Sequence, residues 1–119
     1  MAMEERRKYT RYPIKAPAEV LTPTGIIPAL VTEISVGGLK LNSSKAFVPS
    51  MPIDVIINIG RQIVFGGQVV WVIEKLDRQG IFYQSGMDTD FTSDRDDEVL
   101  YFRRMETLVQ EIAALIKAG

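Results

Sequence analysis

Residues 26–42 have the sequence IIPALVTEISVGGLKLN, which is typical of two antiparallel strands joined by a short turn. Ile26–Ser35 is rich in apolar and β-branched residues, which favour strands. Gly37-Gly38 interrupts it, as glycine pairs do at turns. Leu39–Asn42 then alternates apolar and polar side chains with the period of a half-buried strand. This stretch therefore predicts two neighbouring strands of an antiparallel sheet.

The flanking sequence extends the same pattern in both directions. Further strands are predicted where runs of β-branched residues end at glycine or proline turns: Ala18–Thr22, Ile53–Ile59, Gln62–Lys75 and Ile81–Asp88. Gly66-Gly67 predicts a bulge or sharp bend in the longest strand, and Trp71 and Phe82 are assigned to the core. About six short strands without helices between them predict an all-β fold, a six-stranded antiparallel β-barrel.

The end of the chain predicts one long C-terminal α-helix that begins near Ser93. Ser93 and Asp96 have capping-box spacing, and acidic residues crowd the first turn, where they complement the helix dipole. Apolar residues then recur every three or four positions: Phe102, Met105, Val109, Ile112 and Ile116, flanked by Tyr101, Leu108 and Leu115. We expect residues 92–119 to pack on a barrel formed by residues 1–91, as one domain. A helix-mediated homodimer is the alternative to a monomer.

The composition disfavours catalysis. The 119 residues include no cysteine and no histidine, and the formal net charge is −1. Thiolate nucleophiles, imidazole bases and metal sites built from these residues are therefore excluded, and we predict that the protein is not an enzyme. The longest uninterrupted apolar run, Val69–Ile73, is far shorter than the ~20 residues of a membrane span. The polar N-terminus is not a secretory signal, so we expect a cytoplasmic protein without membrane insertion.

The near-zero net charge hides an asymmetry between the two ends of the chain. Residues 6–15 carry five cations and no acid, whereas residues 88–98 carry six acids and one arginine. The basic end is a candidate anion site. Residues 1–11 have little to bury, so we expect a flexible arm.

Two short segments carry a recognisable chemistry. Arg7 and Arg11 lie four residues apart, and arginine forks suit both phosphate oxygens and the O6/N7 edge of guanine. Glu33 and Ser35 share one face of their strand, where they can accept hydrogen bonds from guanine amino and ring N–H groups. Gly38 has no Cβ and lets a flat ligand approach the backbone. The combination suits a guanine nucleotide better than a simple anion.

Together and in this order, the two segments resemble the motifs of the PilZ domain, Arg-x-x-x-Arg followed by Asp/Asn-x-Ser-x-x-Gly. The resemblance covers about residues 6–91 and implies a bacterial receptor for cyclic di-GMP, with no other cofactor. It implies that Arg7 and Arg11 grip phosphates and guanine edges, and that Glu33 and Ser35 hold a guanine. It also implies that Gly38 leaves room for the base. Arg6 precedes the first motif, where a further cation can stack on a second ligand molecule.

The function expected from this resemblance is a switch. Cyclic di-GMP would order the basic arm on the barrel, and the altered surface would signal to a protein effector of unknown identity. Position 33 departs from the family pattern, because glutamate replaces aspartate or asparagine. This favours one alternative, a degenerate protein-interaction adaptor that binds nucleotide weakly or not at all. A barrel that binds RNA or DNA is disfavoured by the near-neutral charge and the few aromatic residues.

Overall fold

A computed structural model describes residues 10–89 and 98–116 of the protein, with helix side chains described from residue 106 onward. The elements are β1 (Tyr12–Thr22), β2 (Gly25–Ile34), β3 (Gly38–Ser43), β4 (Pro52–Asn58), β5 (Gln62–Asp77), β6 (Gly80–Thr89) and α1 (Glu98–Leu115). The strands follow the order β1-β2-β3-β6-β5-β4, and antiparallel pairing of β1 with β4 closes the barrel. The predicted six-stranded antiparallel barrel with a C-terminal helix is confirmed.

The first strand is longer than its sequence indicated. β1 begins at Tyr12 rather than Ala18, so Lys15, one of the five cations of residues 6–15, lies exposed on a strand. Proline is usually confined to strand positions that need no amide donor. Here β4 pairs only with residues 18–21 of β1, so Pro13 and Pro17 lie where β1 has β2 as its only strand neighbour among the described residues.

Two other strand prolines occupy the same kind of position. Pro28 of β2 pairs with β1 alone, since the pairing of β2 with β3 begins only at Ala29. Pro52 of β4 pairs with β5, while β1 joins β4 only from Asp54 onward. Each of these prolines therefore lies in a stretch of strand with one described neighbour.

Alternate side chains of the strands fill the barrel. In β1 the buried residues Ile14, Ala16, Ala18 and Val20 alternate with exposed ones. The predicted inward pair of β3, Leu39 and Leu41, is buried as well. Phe82 is only half-buried, contrary to its assignment to the core. It lies where β6 continues beyond the end of β3, whose pairing reaches only Tyr83.

The longest strand is irregular at a different place from the one predicted. Gly66 and Gly67 pair regularly with β4, and the register shift of β5 against β6 lies between Val69 and Trp71. Gly67 does not form a bulge; it allows the backbones of β5 and β6 to come close together. A Cβ there would lie 1.9 Å from the carbonyl oxygen of Asp88.

The helix packs against the barrel through one side. Val109 and Ile112 are fully buried and belong to the same core cluster as the barrel strands, with Leu108 and Ile116 partly buried beside them. Leu115 is 62% exposed and does not belong to the buried stripe. The predicted cap at Ser93 and Asp96, and the side chains of Tyr101, Phe102 and Met105, lie outside the described residues.

Two polar contacts of α1 lie at the same end of the barrel. Arg61 Nη2 lies 3.2 Å from Glu111 Oε1, and Gln110 Nε2 donates to the Tyr12 hydroxyl at 3.4 Å. Within the described part of the chain, no helix is long and apolar enough to span a membrane.

Two buried serines differ in their hydrogen bonding. Ser43 Oγ donates to the carbonyl oxygen of Lys45 at 2.7 Å. Ser85 Oγ is buried in the barrel without a hydrogen-bond partner among the described residues. An unpaired buried hydroxyl costs folding free energy, whereas a paired one contributes to it.

We therefore predict opposite effects from one substitution made at the two positions. Ser85→Ala should raise the free energy of unfolding by about 1 kcal/mol, because it removes an unpaired polar group. Ser43→Ala should lower it by about the same amount, because the Lys45 carbonyl loses its donor. Thermal and urea unfolding of both variants measures the difference, and a loss of stability in Ser85→Ala would contradict the prediction.

Candidate functional site

A pocket of about 500 Å³ opens where β2 ends, β3 begins and β6 ends. Its walls include Arg11, Glu33, Ser35 and Gly38, four of the six residues singled out from the sequence. The other two, Arg6 and Arg7, lie outside the described residues. Arg11 lies directly before β1, whose Tyr12 pairs with Ile34 of β2, and this pairing brings the arginine to the Glu33 rim.

The turn between β2 and β3 shapes the floor of the pocket. The amide of Ser35 donates to the carbonyl oxygen of Gly38 at 2.9 Å, and the amide of Gly37 donates to Ser35 Oγ at 3.2 Å. Thr89 of β6 fastens the turn, since its hydroxyl donates to the Val36 carbonyl oxygen at 3.0 Å. Ser35 Oγ therefore has a structural role, and its second lone pair is the one left for a ligand donor.

Gly38 has a structural role in addition to the ligand role predicted for it. A Cβ at this position would lie 2.2 Å from the carbonyl oxygen of Met87 on β6. The absent side chain thus lets β3 and β6 come together. Gly38 also lines the pocket, and its predicted role of making room for a ligand stays a prediction.

The carboxylate of Glu33 lies between two cations. Arg11 Nη1 and Lys40 Nζ each lie 3.9 Å from Glu33 Oε1. Ile34, the next residue, is fully buried, so the predicted split between an inward Ile34 and an outward Glu33 is confirmed. A register shift between Val31 and Glu33 sets this orientation, since one extra residue reverses the faces of the side chains that follow.

The sequence predicts Trp71 in the core, but in the structure this residue lines the pocket. The register shift after Val69 moves Trp71 to the outer face, opposite Gly86. Its indole lies so close to Gly86 that a Cβ on that glycine would be 2.3 Å from Trp71 Nε1. The bulge could not be foreseen from strand alternation, which places residues 69 and 71 on one face.

Lys40 and Asp88 are two further pocket residues that the motifs did not indicate. Lys40 could have been found from its position opposite Glu33 across the glycine turn. Asp88 pairs with Gly38 across β3 and β6, and this pairing has no local signal. Among the side chains that the structure describes, no cluster of three or more Asp or Glu residues is arranged to hold a metal ion.

The family model for the PilZ domain matches residues 5–104 of the chain. The chain belongs to the PilZ domain family. The match extends past the barrel into α1, farther than the motifs indicated. A comparison with curated proteins found no match.

Solved structures share this fold at low sequence identity. The PilZ domain of YcgR from Escherichia coli with c-di-GMP has 15% identity and a TM-score of 0.66, covering 91% of this chain and 94% of that one. The K. pneumonia MrkH-c-di-GMP complex has 17% identity and a TM-score of 0.66, covering 92% and 53%. The Bacillus subtilis inhibitor of motility MotI/DgrA has 17% identity and a TM-score of 0.59, covering 90% and 51%. This PilZ chain therefore spans about half the length of MrkH and MotI.

The close contact at Gly38 of this PilZ domain leads to a prediction about stability without ligand. Gly38→Ala should lower the free energy of unfolding by about 2–3 kcal/mol, because the new methyl group meets a backbone carbonyl that cannot move alone. Gly66→Ala is the matched control. Its Cβ would meet only the Asp54 side-chain oxygen at 2.9 Å, which can rotate away.

Urea unfolding of the two variants tests this. The control should stay within about 1 kcal/mol of wild type. Equal stability of Gly38→Ala and wild type would show that β3 and β6 tolerate a side chain at this position.

Proposed function

We propose that this protein is a receptor for cyclic di-GMP that signals to a protein effector. The observation that carries the proposal is the pocket that brings Arg11 together with Glu33, Ser35 and Gly38 from the end of β2 and the start of β3. A guanidinium for phosphate and guanine edges lies there beside a carboxylate and a hydroxyl that accept from guanine N–H groups.

The comparisons support the choice of ligand. Two proteins with the same fold, the PilZ domain of YcgR and MrkH, have structures with c-di-GMP. PilZ domains are ligand-binding receptor domains, and the composition of this chain supplies no histidine or cysteine for catalysis. We therefore propose recognition of the nucleotide without chemical conversion.

The proposed mechanism uses the basic segment before β1. Arg11 would turn from Glu33 toward a ligand phosphate, with Arg7 binding a second phosphate or guanine edge and Arg6 placed to stack on a base. Charge-assisted hydrogen bonds contribute roughly 1.5–3 kcal/mol each, enough to offset the entropy of ordering a few residues. The ordered segment would alter the surface beside β1, and this altered surface would signal to the effector.

A second function, a protein adaptor with little nucleotide affinity, is favoured by one observation. Both Arg11 and Lys40 lie 3.9 Å from Glu33 Oε1, so the carboxylate is already paired within the protein. A ligand would have to displace part of this pairing. The two functions differ in what Glu33 contributes to affinity.

The arginines provide the direct test of the receptor. Isothermal titration of wild type with cyclic di-GMP should show saturable binding. Arg11→Ala and Arg7→Ala should each weaken it at least about tenfold, because each removes a charge-assisted contact. The melting temperature of ligand-free Arg7→Ala should stay near that of wild type, since an arm with little to bury adds little stability.

Arg78→Ala is the matched control, because Arg78 lies exposed in the turn between β5 and β6, away from the pocket. It should bind like wild type. No saturable heat from wild type at high micromolar cyclic di-GMP would exclude the receptor.

The substitution Glu33→Asp separates the receptor from the adaptor. If wild type is a weak binder because of the longer side chain, aspartate should increase the affinity by up to about tenfold, since it is the residue of the family motif. The same titration measures this. Tight wild-type binding that Glu33→Asp does not improve would exclude the adaptor.

A further inference from the structure

Glu33 and Lys40 are directly opposite each other across β2 and β3. They are register partners, and their side chains form an ion pair with 3.9 Å between Lys40 Nζ and Glu33 Oε1. Opposite charges at directly paired strand positions attract each other. Both side chains are about one-third exposed, 33% for Lys40 and 30% for Glu33, so they lie at the rim and not in the core.

The backbone of Lys40 is held firmly. Its neighbours Leu39 and Leu41 are both buried in the barrel. Its carbonyl oxygen accepts a hydrogen bond from Thr32 Oγ1 at 3.4 Å, across the register shift in β2. Lys40 therefore approaches Glu33 from a strand that does not need to move when a ligand enters.

Arg11, the other cation beside Glu33, is placed differently. It precedes β1, its side chain is 45% exposed, and it lies at the junction with the basic segment. Under the proposed function, Arg11 turns toward the ligand phosphates. The Glu33 carboxylate would then lose one of its two positive neighbours when it has to accept hydrogen bonds from the base.

We propose that Lys40 is a positioning residue that holds the Glu33 carboxylate in place for the ligand. This inference rests on the proposed function. A glutamate has one more methylene group than an aspartate, and hence more rotamers to lose when its carboxylate is fixed. From the opposite strand, Lys40 limits the rotamers of Glu33. It also keeps a positive charge beside the Glu33 carboxylate when Arg11 turns to the ligand. The pair Glu33–Lys40 then does what the shorter acidic residue of the motif does alone.

A double-mutant cycle on cyclic di-GMP affinity tests the proposal. Lys40→Met should weaken binding by up to about fivefold in the wild-type background, the upper end of what a partly exposed ion pair contributes. In the Glu33→Gln background the same substitution should change the affinity less than about twofold, because the charge that Lys40 positions is absent. Lys40→Arg should bind like wild type.

The matched control is Lys75→Met, which removes an exposed lysine of β5 that does not line the pocket. It should leave the affinity unchanged. An equal loss for Lys40→Met in both backgrounds would mean that Lys40 contacts the ligand itself, and no loss in either would mean that it has no role. Both results overturn the positioning role.

A measurement on the ligand-free protein separates failure of this inference from failure of the receptor. The carboxyl carbon resonance of Glu33 should shift on Lys40→Met and stay in place on Lys75→Met. If this shift occurs while wild type binds no cyclic di-GMP, the proposed function and the positioning role are both wrong, and only the ion pair is confirmed. If wild type binds and neither the shift nor the coupling is found, the Lys40 inference alone is overturned.

Discussion

One extra residue in β5, between Val69 and Trp71, determines which side chains of this strand face the core and which face the pocket. Before it, Val69 faces the core opposite Met87; after it, Val72 takes the inner face opposite Ser85. An unbroken alternation would turn the indole of Trp71 inward, since residues two apart share a face. The packing of the core and the wall of the site therefore depend on the same slip in register.

The charges of the described pocket residues cancel one another. Among the described lining residues, the cations Arg11 and Lys40 balance the carboxylates Glu33 and Asp88. A ligand with two phosphates adds two negative charges to a neutral rim. In the proposed receptor, Arg6 and Arg7, which precede Arg11 in the sequence, would supply further positive charge. In the proposed receptor the barrel supplies shape and hydrogen-bond acceptors, and the segment before it supplies positive charge.

Strand alternation and turn residues were sufficient to predict the number of strands, the closed barrel and the buried positions of β3. The motif spacing likewise predicted that Glu33 and Ser35 line one rim. The register shifts could not be predicted, because they depend on which residue pairs across the neighbouring strand. Gly38 shows the same limit, because its packing role depends on the Met87 carbonyl, 49 positions later in the chain. Lys40 could have been predicted as a pocket residue, since the glycine turn places it opposite Glu33.

The strand prolines have a consequence beyond the single molecule. Pro13, Pro17, Pro28 and Pro52 all lie where a strand has one described neighbour, and a proline offers no amide hydrogen to a strand that approaches from the other side. Such positions are where sheets from different molecules join during aggregation. Residues that look like strand breakers in the sequence thus oppose the growth of this barrel into intermolecular sheets.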